Sequence, residues 1–280
     1  VTGKLYVCAT PIGNMEDITL RALRVLATVE VIAAEDTRRT RKLLTRHRIK
    51  GKLLSYHEGN ERKQVPFLVS ELRGGKSMAL VTDSGTPGIS DPGYRLVQAC
   101  IEEGLPIEVI PGPSAVTAAL AASGLPTDRF AFEGFLPKKE GDRRRRLSEI
   151  ARDPRTLVFF EAPQRVPATL QEIAEELGDR EACLLRELTK VHEEVVRGAV
   201  SELIERLKGR ELLGECVIVV AGERGAAGEL AEAVTFAEGL VSDGMDRSSA
   251  AREAAHEFGV PRRAVYSELV GHSAEKGSQA

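Results

Sequence analysis

Tryptophan is absent from this 280-residue chain, and aromatic residues make up only 4% of it. A core must therefore be built from aliphatic side chains, which the 42% apolar content supplies. No uninterrupted apolar run approaches the ~18 residues of a membrane-spanning helix, and Lys4-Leu5-Tyr6-Val7 is reached without a secretory-signal pattern. A cytoplasmic location with no membrane attachment is expected. Only four cysteines occur, Cys8, Cys100, Cys183 and Cys216, far apart, inside apolar runs and without a C-x-x-C pair. They read as reduced, buried small hydrophobes. With five histidines and none at ligand spacing to a cysteine, neither a catalytic thiol nor a zinc cluster is suggested, and no metal is expected. G-x-G-x-x-G and G-x-x-x-x-G-K-[ST] are missing too, which sets dinucleotide and P-loop phosphate binding aside.

What is present begins with an uneven charge. Residues 1–152 hold 24 Lys and Arg against 18 Asp and Glu, and residues 153–280 hold 15 against 24, although the whole chain is only −3. A cationic first half suits a polyanionic partner. Short β-branched runs alternate with amphipathic stretches up to about Glu223, the pattern of sheets covered by helices. Strands are expected at Leu5–Ala9, Val31–Ala34, Met78–Thr82, Ile107–Ile110, Thr156–Phe160, Ala182–Arg186 and Val217–Ala221. Helices are expected at Leu20–Thr28 with Asp17 as N-cap, Thr40–Thr45, Lys63–Leu72, Tyr94–Glu103, Ser114–Ala122, Arg144–Ala151, Ala168–Leu177 and Ser201–Leu207. Gly124-Leu125-Pro126-Thr127-Asp128 marks a domain boundary, and Gly222–Gly228 marks a second break. Beyond it, Leu230–Val241, Arg247–Phe258 and Arg262–Val270 read as helices, the last two joined at Gly259-Val260-Pro261 with helix–turn–helix spacing. The chain divides into an α/β domain over 1–124, a second over 125–224 and a helical extension over 225–280.

The densest chemical signal is Thr82-Asp83-Ser84-Gly85-Thr86-Pro87-Gly88-Ile89-Ser90-Asp91-Pro92-Gly93, between a strand and a helix. Its glycines and prolines build a rigid loop whose backbone approaches a ligand closely, at the carboxyl end of a strand where α/β sheets bind ligands. Ala9-Thr10-Pro11-Ile12-Gly13-Asn14 and Pro111-Gly112-Pro113-Ser114-Ala115 leave strand ends in the same way, and the second opens a helix of small residues. Such loops suit a nucleoside without a phosphate.

Taken with Glu35-Asp36-Thr37-Arg38 and Arg186-Glu187-Leu188-Thr189-Lys190, these blocks resemble, in order over about residues 4–224, the ribosomal RNA small-subunit methyltransferase I family. That family lies within the tetrapyrrole methylase, or class III methyltransferase, superfamily. The resemblance implies two α/β domains of the tetrapyrrole methylase type with S-adenosylmethionine in the cleft between them, and a homodimer. It also implies methylation of the ribose 2′-oxygen of a cytidine in the decoding centre of 16S ribosomal RNA within the small subunit. Carried over by position, it sets Asp83, Ser84, Gly85, Thr86, Pro87, Ser114 and Ala115 against the cofactor, with Pro11 and Phe160 as further wall. Asp83 either holds the cofactor's ammonium or a hydroxyl, or caps its own loop.

A 2′-hydroxyl is a weak nucleophile until its proton leaves, so a base within hydrogen-bond reach would help. Glu187, Lys190 and Glu35-Asp36 stand at strand ends as candidates, Lys190 only if its pKa is lowered; the alternative is a structural ion-pair network of Arg186, Glu187 and Lys190. Two cationic stretches are expected to track phosphates: Arg38, Arg39, Arg41, Lys42, Arg46, Arg48, Lys50 and Lys52 with no acid among them, and Lys138-Lys139 with Arg143, Arg144, Arg145 and Arg146. The helical tail either clamps RNA or simply extends the protein.

Overall fold

The computed structural model describes residues 2–223, 227–258 and 260–277. Its first half alternates β1 (Leu5–Cys8), α1 (Leu20–Thr28), β2 (Val31–Ala34), α2 (Thr37–Arg46), β3 (Leu53–Ser55), α3 (Glu61–Arg73), β4 (Met78–Val81), α4 (Tyr94–Glu102), β5 (Ile107–Ile110) and α5 (Ala115–Ser123). The five strands form one parallel sheet in the order β3-β2-β4-β1-β5. Both faces are covered, as the continuous apolar strands require. Leu5, Val7, Val31 and Leu80 pack against Leu68, Leu72 and Leu96 of α3 and α4. Cys8, Ile32, Ala34 and Val81 pack against Leu26, Leu43 and Leu44 of α1 and α2. Neighbouring strands β1 and β4 thus send their following helices to opposite faces, which opens a crevice at their carboxyl ends.

The chain then enters a second sheet through β6 (Phe130–Phe135), α6 (Glu140–Glu149), β7 (Thr156–Glu161), α7 (Val166–Leu177), β8 (Glu181–Arg186), β9 (Glu194–Ala199), α8 (Val200–Leu207) and β10 (Cys216–Val220). The order is β6-β7-β10-β8-β9, with only the β6–β7 pair parallel. One face packs against α6, α7 and α8 through Leu147, Leu170, Ile173 and Leu203. The other is covered by α5, whose Val116, Ala119 and Leu120 meet Val158, Cys183, Leu185 and Val217. The small residues of α5 let its backbone lie close to this sheet, so one helix ties the two sheets into a unit of 1–151 and 155–221.

A second compact unit comprises 152–154 and 222–280. In it α9 (Ala227–Ser242), α10 (Arg247–Glu257) and α11 (Arg262–Gly277) pack around Ala233, Ala237, Ala250, Ala254 and Val265. Residues 224–226 of the break expected at Gly222–Gly228, and residue 259 of the turn expected at Gly259-Val260-Pro261, lie outside the described residues.

Three expectations are corrected. Thr19, not Asp17, caps α1, its hydroxyl accepting the Ala22 N–H at 3.1 Å. Strands β3, β6 and β9 escaped the sequence reading: β3 has three residues, β6 is interrupted by a bulge between Phe132 and Gly134, and β9 is a polar edge strand. The α2 helix begins at Thr37, three residues before the expected start, because Asp36 accepts the Arg38 N–H at 2.8 Å and caps it.

A cleft with two cavities

The loops after β1 and β4 are pinned to one another by a two-bond bridge, Thr10 N–H to Gly85 O at 2.9 Å and Gly85 N–H to Thr10 O at 3.1 Å. The buried Thr10 hydroxyl donates to Thr82 O at 3.1 Å. Gly85 sits at φ +81°, a conformation its neighbours' side chains would resist. From the second sheet, the turn after β8 reaches the same place. Asn14 N–H donates to Thr189 Oγ1 at 2.9 Å, and Gly13 lies so close that a Cβ there would stand 2.6 Å from Lys190 Cγ. Glu187 and Thr189 hold left-handed φ values of 53° and 65°, backbone strain of the kind that gathers where a turn is held for a purpose.

Two cavities flank this junction. The first, of about 350 Å³, is lined by Phe135, Phe160, Val116 and Val217, by Ser84–Thr86 and Ser114–Ala115, and by the acidic residues Asp91, Glu161 and Glu215. Phe160 meets Phe132 and Phe135 edge-on at 4.8 and 5.6 Å between ring centres, which fixes the aromatic wall. The second, of about 300 Å³, has Pro11, Met15 and Leu43 as apolar wall and Arg39, Lys42 and Lys190 as cations, with Thr10 and Asp83 between them. Ile12, Ser84 and Glu215 line both, so the cavities share a seam.

Residues 4–204 match the model of the tetrapyrrole (corrin/porphyrin) methylases. A ribosomal RNA small subunit methyltransferase I of Thermotoga maritima is 49% identical over 221 residues, covering 79% of this chain and 99% of the relative. That of Mycobacterium tuberculosis (strain ATCC 25618 / H37Rv) is 45% identical and covers 100% of this chain and 99% of its own. The chain belongs to the ribosomal RNA small subunit methyltransferase I family. Solved structures share its fold. A uroporphyrin-III-C-methyltransferase from Thermus thermophilus has 25% identity and a TM-score of 0.55, over 78% of this chain and 94% of that one. A uroporphyrin-III C-methyltransferase from the same source, complexed with S-adenyl homocysteine, has 24% identity and a TM-score of 0.56, over 79% and 97%. The two expected α/β domains have the fold of the tetrapyrrole methylases, and the expected helical region follows them beyond the matched residues.

In this methyltransferase I family member the expected cofactor residues divide between the cavities. Ser84, Gly85, Thr86, Ser114, Ala115 and Phe160 line the aromatic one; Pro11 and Asp83 line the cationic one, and Pro87 lines neither. Asp83 accepts the Asp36 N–H at 3.0 Å and faces Arg39 at 3.6 Å. Of the expected catalytic groups only Lys190 reaches a cavity. Burial lowers its pKa, but its bonds to Glu187 at 2.7 Å and Glu215 at 3.1 Å outweigh that and raise it above the usual lysine value. The raised pKa favours the ammonium form of Lys190, whereas the expectation made it a base only with a lowered one. Burial works against the charge of Glu187, yet the Lys190 bond and the Glu215 N–H hold its carboxyl below the usual range. Asp36 is held far below that range by the Arg38 guanidinium at 2.7 Å and the Arg38 N–H. Both are poor acceptors for a proton.

In the second cationic run the four arginines are ion-paired, and one of them is withdrawn from solvent. Arg143 is buried, its fork on both oxygens of Glu172 and a further bond to Lys138 O at 3.1 Å. Arg144 pairs with Glu175 and Glu176, Arg145 with Asp142 and Arg146 with Glu133 and Glu149. Lys138 and Lys139, by contrast, precede α6 without an ion pair among the described residues, and Arg38, Arg39 and Arg41 stand on the exposed side of α2. All four cysteines are buried thiols, with burial pushing Cys8 up to about 12 and the other three to about 11, so none is a nucleophile near neutrality.

Two site residues went unassigned in the sequence, and a third, Lys42, was expected only as part of the first cationic stretch. Lys42 follows Arg39 by three positions, a helical spacing that puts both on one side. Asp91 sat inside the quoted loop as a turn residue. Its carboxyl is pushed up to about 7 by burial first, then by Glu35, Asp83 and Glu215, against a bond from the Thr82 hydroxyl. Glu215 precedes β10 and reaches the seam only through the tertiary fold.

Proposed function

We propose that this protein transfers a methyl group from S-adenosylmethionine to the ribose 2′-oxygen of a cytidine in the decoding centre of 16S ribosomal RNA, as a cytoplasmic homodimer. The observation that carries the division of labour is the seam of Ile12, Ser84 and Glu215, with an aromatic, carboxylate-bearing cavity on one side and a cationic one on the other. The identity of the relatives supports small-subunit ribosomal RNA as the acceptor, and the motif blocks 10–14, 83–93 and 111–115 support the cytidine 2′-oxygen through the family resemblance.

The aromatic cavity has the right chemistry for the donor. Phe160 and Phe135 offer a face to a purine, Gly85 and Ala115 leave room for close backbone approach, and Asp91 forms no ion pair among the described residues. A desolvated carboxylate without a counter-charge is a poor neighbour for an apolar wall and a good one for a cation. Bound there, S-adenosylmethionine supplies a methyl already activated by its sulfonium. The protein's own task is then to place one hydroxyl against that methyl, and positioning alone supplies much of the barrier reduction. Pro11, Met15 and Leu43 hold the acceptor's apolar surfaces. The Lys190 ammonium, fixed by Glu187 and Glu215, stabilises the oxygen as its proton leaves, and the Glu215 carboxylate at the seam accepts that proton. The domain division at 124 and 224 belongs to the same reading.

Tritiated methyl transfer to purified small subunits lacking the modification tests the function. Label recovered as 2′-O-methylcytidine by mass spectrometry of nucleosides is the expected result. Label on another nucleoside or atom overturns the specificity, and none at all overturns the acceptor.

A further inference from the structure

Lys42 occupies a singular place among the cations of α2. It lines the cationic cavity and also a shallow groove along the outer face of the helix, where its companions are Thr37, Arg38, Arg41, Thr45 and Arg46. These positions recur at three and four residues, so they form one strip. The opposite side of α2 is locked into the first sheet by buried Thr40, Leu43 and Leu44, so the strip is presented on a rigid rod and loses little freedom on binding. Half of its charge is already partnered, Arg38 by Asp36 at 2.7 Å and Arg46 by Glu16 at 4.0 Å, and Arg39 beside it is paired with Asp83 at 3.6 Å. Arg41 and Lys42 form no ion pair among the described residues and are exposed.

We propose that Arg41 and Lys42 grip successive phosphates of a single-stranded RNA segment, Lys42 holding the phosphate of the nucleotide whose nucleoside enters the cationic cavity. This deepens the methyltransferase reading and rests on it for the identity of the nucleotide. One unpaired cation lining a cavity with room for one nucleoside, with a second beside it in the groove, matches a phosphodiester chain, because the anion sits outside and the base inside. No aromatic side chain lines that cavity, so stacking does not hold the base and the backbone grip must do so. A nucleotide entering it leaves its stack, at a cost that is least in a single strand.

The test uses the full chain and two readouts. Binding of a fluorescein-labelled single-stranded RNA oligonucleotide is followed against salt for wild type, Arg41→Met, Lys42→Met and, as a control cation on α3, Lys63→Met. Each groove variant weakens binding about tenfold and flattens the log–log salt slope by about 0.7, the loss of one phosphate contact to a single strand; Lys63→Met does neither. In methyl transfer to small subunits, Arg41→Met raises KM alone, whereas Lys42→Met also lowers kcat, because it places the nucleotide in the cavity. Salt slopes identical to that of Lys63→Met overturn the grip, and a Lys42→Met variant that shifts only KM overturns its role in placement. Absence of transfer by wild type, with the slopes changed as stated, counts against the methyltransferase reading while the RNA grip stands.

Discussion

Arg143→Ala destabilises the protein by about 3–5 kcal/mol in urea denaturation, the usual penalty for removing one partner of a buried ion pair. The side chains of Arg143 and Glu172 are only 8% and 6% exposed, and the variant leaves the Glu172 carboxylate buried without its counter-charge. The bonds from Arg143 to Pro137 O and Lys138 O, which fasten the segment between β6 and α6, go at the same time. Replacing both partners with apolar residues of similar size, Arg143→Met with Glu172→Leu, restores most of the loss, since no orphaned charge remains. The same double variant binds RNA with the wild-type salt slope. If Arg143→Ala kept its stability and flattened that slope, the run from Arg143 to Arg146 would be an RNA contact after all.

Gly13→Ala lowers kcat about 100-fold while the protein stays folded. The added Cβ meets Lys190 Cγ and Thr189 Oγ1 at 2.6 Å and Leu188 O at 2.8 Å. A flexible lysine stem can move aside, but Leu188 O belongs to the backbone of the turn that carries Lys190, so the turn itself must retreat from the first sheet. A displacement of about 1 Å between groups that place a reacting atom is enough for a loss of this size. Gly141→Ala on α6 is the control, because a Cβ there meets nothing within 4 Å; it leaves kcat unchanged. Full turnover by Gly13→Ala would show that the approach of the two sheets at this turn has no part in placing the acceptor.

The central strands were legible because they are buried on both faces and flanked by Gly, Pro or charge; β2 coincides with the expected span, as does the half-exposed edge strand β5. The other edge strands were not legible, since β9 carries Glu194, Arg197 and Gly198 where a buried strand would carry aliphatics. The loops after β1, β4 and β5 stood out by their glycines and prolines, and residues of all three line the cavities. Sequence could not sort them between two cavities, because that depends on which side of the Thr10–Gly85 bridge each residue falls. Asp36 looked catalytic from its place at a strand end, where a helix cap has the same residue type and the same location. Two of the four arginines of α6, Arg143 and Arg144, find their partners on α7 some thirty residues later, at Glu172, Glu175 and Glu176. Their spacing of three and four along that helix was the available signal. Glu215 had none: it comes to the seam from a different sheet than Ser84.

The account turns on the donor occupying the aromatic cavity and the acceptor the cationic one, and calorimetric titration of S-adenosylmethionine at pH 6 and pH 8 separates the two. A carboxyl titrating at about 7 is mostly protonated at pH 6 and mostly ionised at pH 8, and a cationic ligand favours the ionised form, so affinity rises with pH. Wild type is expected to bind about tenfold more tightly at pH 8. Asp91→Asn should bind weakly at both values without that rise, and Lys42→Met should match wild type. Donor affinity untouched by Asp91→Asn but altered by Lys42→Met would place the donor in the cationic cavity and contradict the account.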